Sequence, residues 1–481
     1  MRFIIFGFGI HTKYTYYRYI KELSEKDSNV KFDLIVDLLS EKPGIEAFFQ
    51  EKNFRPNHTY WLSSEEGNAT FLSGEHMDPD LERFLDSYVQ GRESDFRVII
   101  GTEPKSHKIY ALWALKHGIT TIIDKPITAP MNILTEDGQA EKIYGDYLEI
   151  SEAQQKSKAQ VYVSAQRRTS PGYAFVHKLL QETIETYGVP ITYMDIYHAD
   201  GTWVLPYELD KENHPYKYQY GKIFHSGYHL IDIFSWLTEL NNRVLPMASL
   251  GAFATSTNIH DQMSWLDPKK YQNLLGEDEK YMPSISENFD KRDQYRQYGE
   301  FDLNAQIAVN GLDGRIMQGS ISLLQQSLSG RNWYETPPDM YKHNGRIKHE
   351  RMVMNIGYLM TIHINSYSSL DERHDLAGQI HTGGDDHFDV LIFRNTNVIG
   401  GKAYQKLSFG LGVDKDEYYM GTNDYGHRKT FDQYIHNEES SNKYENHEFT
   451  NICMSLIAQS LATDAKGNPQ YKEHMIKKSR L

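Results

Sequence analysis

The first twelve residues constrain the fold more than any other stretch of this chain. Met1-Arg-Phe-Ile-Ile-Phe6 is a short apolar run, Gly7-Phe-Gly9 interrupts it, and Ile10-His-Thr12 leads into helical spacing that continues to about Leu23. A buried strand that turns through glycine directly into a helix is the first half of a strand–helix–strand unit. The right-handed crossover that follows commits the chain to a parallel sheet. The alternation then continues. Residues 32–37, 97–100, 120–123 and 161–164 read as strands, while Ile109, Leu112, Trp113 and Lys116, and later Ile143, Tyr147 and Ile150, recur at helical spacing. A doubly wound parallel sheet is expected over residues 1–168. Residues 41–94 are long for one repeat and rich in turn chemistry, so they are expected to be an insertion with little regular core.

After Arg168 the period changes. Leu303, Ala305, Ile307 and Val309 alternate with polar residues, Asn310-Gly-Leu-Asp-Gly314 makes a turn, and Met352, Met354 and Ile356, then Val390 and Ile392, alternate again. Period-two runs joined by Gly/Asn turns indicate antiparallel strands with one covered face. Residues 169–481 are therefore expected to form an α+β domain with a large, open, mainly antiparallel sheet. The polar segments 267–300 and 330–351 read as insertions or arms, and residues 445–461 as a last helix.

Charge and cysteine content exclude several functions. The chain carries 65 acidic against 51 basic residues, a net charge of −14. A nucleic-acid footprint needs clustered cations, and an anionic membrane would repel such a chain, so neither is an expected partner. With Cys453 as the single cysteine there can be no internal disulfide and no cysteine-rich zinc site. The apolar start ends at Gly7 without a cleavage signature, and no apolar run approaches the roughly 20 residues of a membrane span. A soluble cytoplasmic protein is expected.

The turn Gly7-Phe8-Gly9-Ile10-His11-Thr12 is placed to receive a pyrophosphate: glycines admit the anion to the backbone, and N–H groups of the following turn donate to it. Thr12 stands where a third glycine would complete the fingerprint. Asp37 closes the second strand, where a carboxylate accepts hydrogen bonds from adenosine ribose hydroxyls and repels a 2′-phosphate. This favours NAD. Lys42, close by in sequence, leaves NADP open.

Four further segments carry a family resemblance. They are Val98-Ile-Ile-Gly-Thr-Glu-Pro-Lys-Ser-His107, Ala111-Leu-Trp-Ala-Leu-Lys-His-Gly118, Thr121-Ile-Ile-Asp-Lys-Pro126 and Gly221-Lys-Ile-Phe-His-Ser-Gly-Tyr-His-Leu-Ile-Asp232. In order and spacing they resemble the motifs of the glucose–fructose oxidoreductase and inositol dehydrogenase family (Gfo/Idh/MocA), the third with Asp124 in place of Glu. The resemblance covers residues 1–240. It implies a Rossmann domain followed by an α/β domain whose open sheet mediates homodimers or homotetramers. It also implies NAD(P)-dependent hydride transfer at a secondary hydroxyl of a sugar, cyclitol or related polyol.

By the same resemblance, Lys125 lies between nicotinamide and the reacting oxygen, and His229 hydrogen-bonds that oxygen. Their convergence on one cavity is expected because hydride and proton leave adjacent atoms. His225 occupies the place where the family commonly has Asp, and is expected to line that cavity as a neutral ring. Thr102, Glu103, Pro104, His107 and Asp124 join the glycine turn and Asp37 at the cofactor. Arg168, Tyr228 and Asp232 are expected near substrate, and Trp203, His214, Tyr216, Tyr218 and Tyr220 could wall a sugar pocket. His225, His229 and Asp232 would share one helix face. They lack the Glu of H-E-x-x-H, so no metal is assigned to them. His381-Thr-Gly-Gly-Asp-Asp-His387 is read as a loop without a role. Two other functions remain open in the sequence: a glycosidase using NAD for transient oxidation, and a non-catalytic dinucleotide-binding protein.

Overall fold

A computed structural model of the chain describes residues 1–63, 76–201, 203–205, 208–209, 216–276, 282–329, 347–368, 387–409 and 422–476. The chain forms two compact units. The first comprises Met1–Pro130, Ile143–Thr169 and Asn423–Glu448, and the second Met131–Lys142, Ser170–Thr422 and Phe449–Leu481. The division is thus not a single cut after residue 168, because a segment from far down the chain returns to the first unit.

The first unit is built on six parallel strands: β1 (Arg2–Phe6), β2 (Lys31–Leu38), β3 (His58–Leu62), β4 (Phe96–Ile100), β5 (Thr121–Ile123) and β6 (Val161–Val163). Their order is β3-β2-β1-β4-β5-β6, the doubly wound arrangement expected from the sequence. Period-two side chains divide β1 between the two faces. Phe3 and Ile5 join Tyr16, Tyr19, Ile20, Phe431, Tyr434 and Ile435 on one face, while Phe6 stacks on Tyr110 at 4.1 Å on the other. Phe431 and Tyr434 belong to the helix Thr422–His436, whose Tyr434 hydroxyl donates to Val98 O at 2.8 Å.

Two local expectations are corrected here. The helix after β1 is two pieces, Ile10–Tyr14 and Tyr16–Lys26, broken at Thr15. Residues 41–94 are not a coreless insertion. They hold the helix Lys42–Lys52, β3 and the helix Pro79–Val89, which bury Ile45, Phe49, Leu81, Leu85 and Val89. The Asp78-Pro79-Asp80 sequence that reads as a turn is a helix start: the Asp78 carboxylate accepts from Asp80 N and Leu81 N.

The second unit is built on nine strands: β7 (Ile191–Ala199), β8 (Met247–Thr257), β9 (Asp302–Gly311), β10 (Arg315–Leu324), β11 (Lys348–Ile356), β12 (Met360–Ser368), β13 (His387–Arg394), β14 (Tyr404–Phe409) and β15 (Lys472–Met475). The order is β14-β13-β12-β11-β7-β10-β9-β8-β15, and the pairs are antiparallel except β7 with β10. One face buries Met194, Ile196, Leu303, Ile321, Met352, Met354, Ile362 and Val390. The helix Gly227–Thr238 packs there so closely that a Cβ on Gly319 would meet the Phe234 ring at 2.5 Å. The other face is mixed: Asn304 bonds Ser322 across strands, Arg351 pairs with Asp195 at 3.4 Å, and Tyr193, Phe253, Phe393 and Tyr404 stand exposed.

Residues 267–300, read as an insertion or arm, have regular structure and a core of their own. Within them the helices Pro268–Leu275 and Met282–Asp290 supply Tyr271 and Ile285 to a small core with Leu205 and Leu266. The last helix is Glu448–Ala465, and Cys453 is buried in it, its thiol pushed up to about 12 by desolvation. No described helix is long and apolar enough to cross a membrane.

Candidate active site

The carboxyl edge of the parallel sheet is built around Gly7. Its φ of +82° lies in the left-handed region, and a Cβ there would come within 2.7 Å of the Thr102 backbone. Only glycine lets the turn after β1 touch the turn after β4 in this way. Gly9 is different: a Cβ there would meet nothing within 4 Å. Thr12, in place of the third glycine, donates from its hydroxyl to Gly7 O at 3.0 Å. The close approach moves to Gly101, whose added Cβ would lie 2.5 Å from Thr12 Oγ1. The incomplete fingerprint is therefore matched by a glycine on the neighbouring strand.

Phe8 supplies its backbone, not its ring, to this edge. The ring is buried against Phe32, Phe49 and Tyr17, while Phe8 N donates to Asp37 Oδ2 at 2.6 Å. Asp37 Oδ1 accepts from Leu38 N at 2.7 Å. Burial raises the Asp37 pKa, and these two N–H groups oppose the rise. Each carboxylate oxygen retains a lone pair for a further donor. Asp37→Ala is expected to weaken NAD about tenfold and NADP less, the scale of one charged hydrogen bond. Titration of both dinucleotides checks this. Equal losses would leave Asp37 only the role of holding the loop.

His107 joins the two turns beyond β4 and β5. It is fully buried, with Nδ1 2.9 Å from Pro126 O and Nε2 2.9 Å from Thr102 O. Desolvation lowers its pKa. Ser106 Oγ reaches Thr102 Oγ1 at 3.1 Å and Glu103 O at 2.9 Å, so the segment from Thr102 through buried Pro104 is closely tied. His107→Ala would remove the bridge and leave a cavity. The expected loss of stability is about 2–5 kcal/mol, measured by denaturant unfolding.

Asp124 and Lys125 follow β5, and the Lys125–Pro126 peptide is cis. Lys125 N donates to Asp124 Oδ1 at 2.8 Å. Burial alone would raise the Asp124 pKa, but His11, Lys125, His107 and His427 outweigh it and hold the carboxyl below its usual range. His11 Nε2 stands 3.8 Å from Asp124 Oδ1, and its ring lies 4.9 Å from that of His427. His427 is the residue that sequence reading missed. It arrives on the returning helix, is buried, pairs with Ser164 Oγ at 3.2 Å, and has its pKa pushed well down by desolvation. Ile10, in contrast, is 66% exposed.

Arg168 follows β6 in the single turn Gln166–Thr169. Its side chain is fully buried in the first unit and donates to Ser441 O at 3.0 Å and Asn446 O at 2.9 Å. These two bonds tie it to the segment after the returning helix.

In the second unit, His229 lies on the helix Gly227–Thr238 and is 7% exposed. Asp232 Oδ1 accepts from Thr450 Oγ1 at 2.9 Å, and Tyr228 is completely buried. His225 is not on the helix face with them, because the helix begins only at Gly227. It sits in the preceding turn, its ring 4.9 Å from Tyr216 and 5.0 Å from Tyr220. Trp203 stacks on Tyr271 at 6.3 Å. His214 and residues 381–386 lie outside the described residues; His387 begins β13. Among the described residues no group of three His, Cys, Asp or Glu side chains is arranged to hold a metal.

No protein-family model matches the sequence, and no curated protein matches it. Solved structures do match over the whole chain. An aldose–aldose oxidoreductase from Caulobacter crescentus, complexed with glycerol, is 11% identical, with a TM-score of 0.53, over 99% of this chain and 99% of that one. An oxidoreductase from Sinorhizobium meliloti is 12% identical, with a TM-score of 0.54, over 98% and 99%. GenD2 from gentamicin A biosynthesis, in complex with NAD, is 10% identical, with a TM-score of 0.51, over 99% and 96%. The chain has the fold of these proteins, a Rossmann-like parallel sheet plus a large mixed sheet, as the motifs implied.

Proposed function

We propose that the chain is an NAD(P)-dependent oxidoreductase that moves a hydride between nicotinamide and a secondary hydroxyl or ketone of a sugar, cyclitol or related polyol. The observation that carries this reading is the edge around Gly7, packed onto Thr102 and bonded through Phe8 N to Asp37. It stands at the carboxyl ends of a parallel sheet, where dinucleotides bind in open α/β folds. The fold is shared with an aldose–aldose oxidoreductase and with a protein solved with NAD.

In this reading the cofactor accepts or returns the hydride. Gly7, Gly9 and the Phe8 backbone border the pyrophosphate, and Asp37 receives ribose hydroxyls. Lys125 supplies a cation to the oxygen as it becomes alkoxide, and His229 takes or gives its proton. His107 and Asp124 fix the turns that present Thr102 and Lys125. NAD is preferred over NADP because of Asp37. The test is direct: purified protein with NAD, then NADP, is scanned against a panel of sugars and polyols for absorbance at the reduced nicotinamide band. NADH formation with at least one compound is expected. Sugar release from glycosides without net NADH would favour the NAD-dependent glycosidase instead, and retained binding without turnover a binding protein.

We also propose a homodimer or homotetramer built on the nine-stranded sheet, one face of which carries exposed Tyr193, Phe253, Phe393 and Tyr404 among its polar residues. Light scattering at micromolar concentration should give a multiple of 55.9 kDa; a monomer would refute it.

A further inference from the structure

The turn that carries His225 is held from two sides by buried carboxylates that no motif indicates. Lys222 Nζ lies 2.6 Å from Asp200 Oδ2, with both side chains buried, and Ser226 Oγ donates to the same oxygen at 2.8 Å. Asp200 thus grips the residues three before and one after His225. The backbone between them is wound tightly. His225 N and Gly227 N both donate to Lys222 O, at 3.2 and 3.1 Å, and a Cβ on Gly227 would sit 2.5 Å from that oxygen. His229 N then donates to Ser226 O at 3.3 Å, so the first turn of the histidine helix starts from the anchored serine.

Glu300 holds the other side. Its carboxylate Oε1 accepts from Ile223 N at 2.8 Å, and its carbonyl accepts from Lys222 N at 2.9 Å. Backbone contact is close enough here that a Cβ on Gly221 would fall 2.0 Å from Glu300 Oε2. Glu300 is 1% exposed, and burial pushes its pKa up to about 7, against the pull of Lys222. Asp200 is itself fixed at the end of β7: its N donates to Leu324 O at 2.9 Å, and His198 Nε2 stands 3.3 Å from its Oδ1.

A buried carboxylate is costly unless its lone pairs are filled, and a buried lysine is costlier without a counter-charge. The desolvated groups are concentrated on one six-residue turn. We infer that Asp200 and Glu300 are the positioning residues of this turn, setting the placement of His225 and of the helix that begins with His229. This deepens the reading of His229 as the acid/base group and rests on it for the effect on turnover. It does not rest on it for the effect on structure.

The test separates the two. Asp200→Ala, Ser226→Ala, Glu300→Ala, Glu300→Gln and the pair Asp200→Asn with Lys222→Met are compared with the wild-type chain. Each is tested for NAD affinity, for kcat and KM on the best compound of the panel, and by spectra of ¹³Cε1-labelled histidine, with His225→Gln and His229→Gln assigning the resonances. Asp200→Ala and Glu300→Ala should lower kcat by about 10–100-fold, the scale of a misplacement of about an ångström, with KM and NAD affinity little changed. Both should move the His225 and His229 resonances. Glu300→Gln keeps an acceptor for Ile223 N, and should stay within about threefold of wild type. The Asn/Met pair removes both buried charges while keeping an acceptor for Ser226, and should recover most of what Asp200→Ala loses. Ser226→Ala leaves the ion pair intact, and supplies a variant with a small, same-direction spectral change should Asp200→Ala fail to fold. If no compound is turned over by the wild type, the oxidoreductase reading fails, yet shifted histidine resonances in the variants still support the positioning role. Unchanged resonances and unchanged kcat in folded Asp200→Ala or Glu300→Ala would overturn it.

Discussion

A Gly9→Trp variant is expected to unfold at the same temperature as the wild type, within a few degrees, and to bind no dinucleotide. The two halves of that outcome have separate causes. Nothing lies within 4 Å of a Cβ at this position, so the native packing does not oppose a side chain there. The open space is where the turn after β1 faces outward, and in our reading the pyrophosphate occupies it. An indole in that space removes the anion by simple exclusion, which should cost at least a hundredfold in affinity, about 2.7 kcal/mol or more. Gly7→Ala should do the reverse. Its φ of +82° and the 2.7 Å approach to Thr102 make any side chain a fault in the fold itself. Calorimetry and dinucleotide titration on the pair separate the two effects. Wild-type affinity in Gly9→Trp would show that the site had been placed wrongly.

Lys125→Ala and His229→Ala should each lower turnover by roughly 10²–10⁴-fold while dinucleotide affinity stays near that of the wild type. A hydride cannot leave a carbinol carbon unless the hydroxyl proton also goes, so loss of either the cation or the base raises the same barrier. The double variant should then lose little more than the worse single one, since groups that act in one step are not additive. Activity surviving in both single variants would remove the dehydrogenase mechanism and favour the binding-protein reading.

Local signals made the first sheet readable, and their absence explains what was missed. The strands β1, β4 and β5 are apolar runs followed by glycine, proline or a helix start, so periodicity alone located them. The strand β3 buries only Leu62 of its five residues, and no apolar run marks it. The helix Thr422–His436 has no continuous apolar stripe in sequence. Phe431, Tyr434 and Ile435 become core residues only because Phe3 and Tyr19, some 400 positions earlier, lie beneath them. His427 was invisible for the same reason. At the histidine helix the motif put His229 in the right element, but the i, i+4 spacing to His225 suggested a shared helix face. Lys222 O instead receives two N–H groups in a turn, and the helix starts later. The grip of Asp200 on Lys222 and Ser226 joins residues more than twenty positions apart, which no local pattern encodes.

The returning helix also sets an order of events during synthesis. The six strands of the first unit are all translated by residue 163, yet Phe431, Tyr434 and Ile435 supply part of the cover on one face of their sheet, beside Tyr16, Tyr19 and Ile20. Until roughly 430 residues have left the ribosome, Phe3, Tyr16 and Tyr19 lack their contacts with Phe431. Burying aromatic side chains of this size contributes on the order of 2–3 kcal/mol each. The nascent chain therefore carries a partly uncovered aromatic face through most of its own elongation, at about 5–20 residues per second for some tens of seconds. A fragment cut at residue 168 would remain in that condition permanently. It should demand chaperone protection that the full-length chain outgrows.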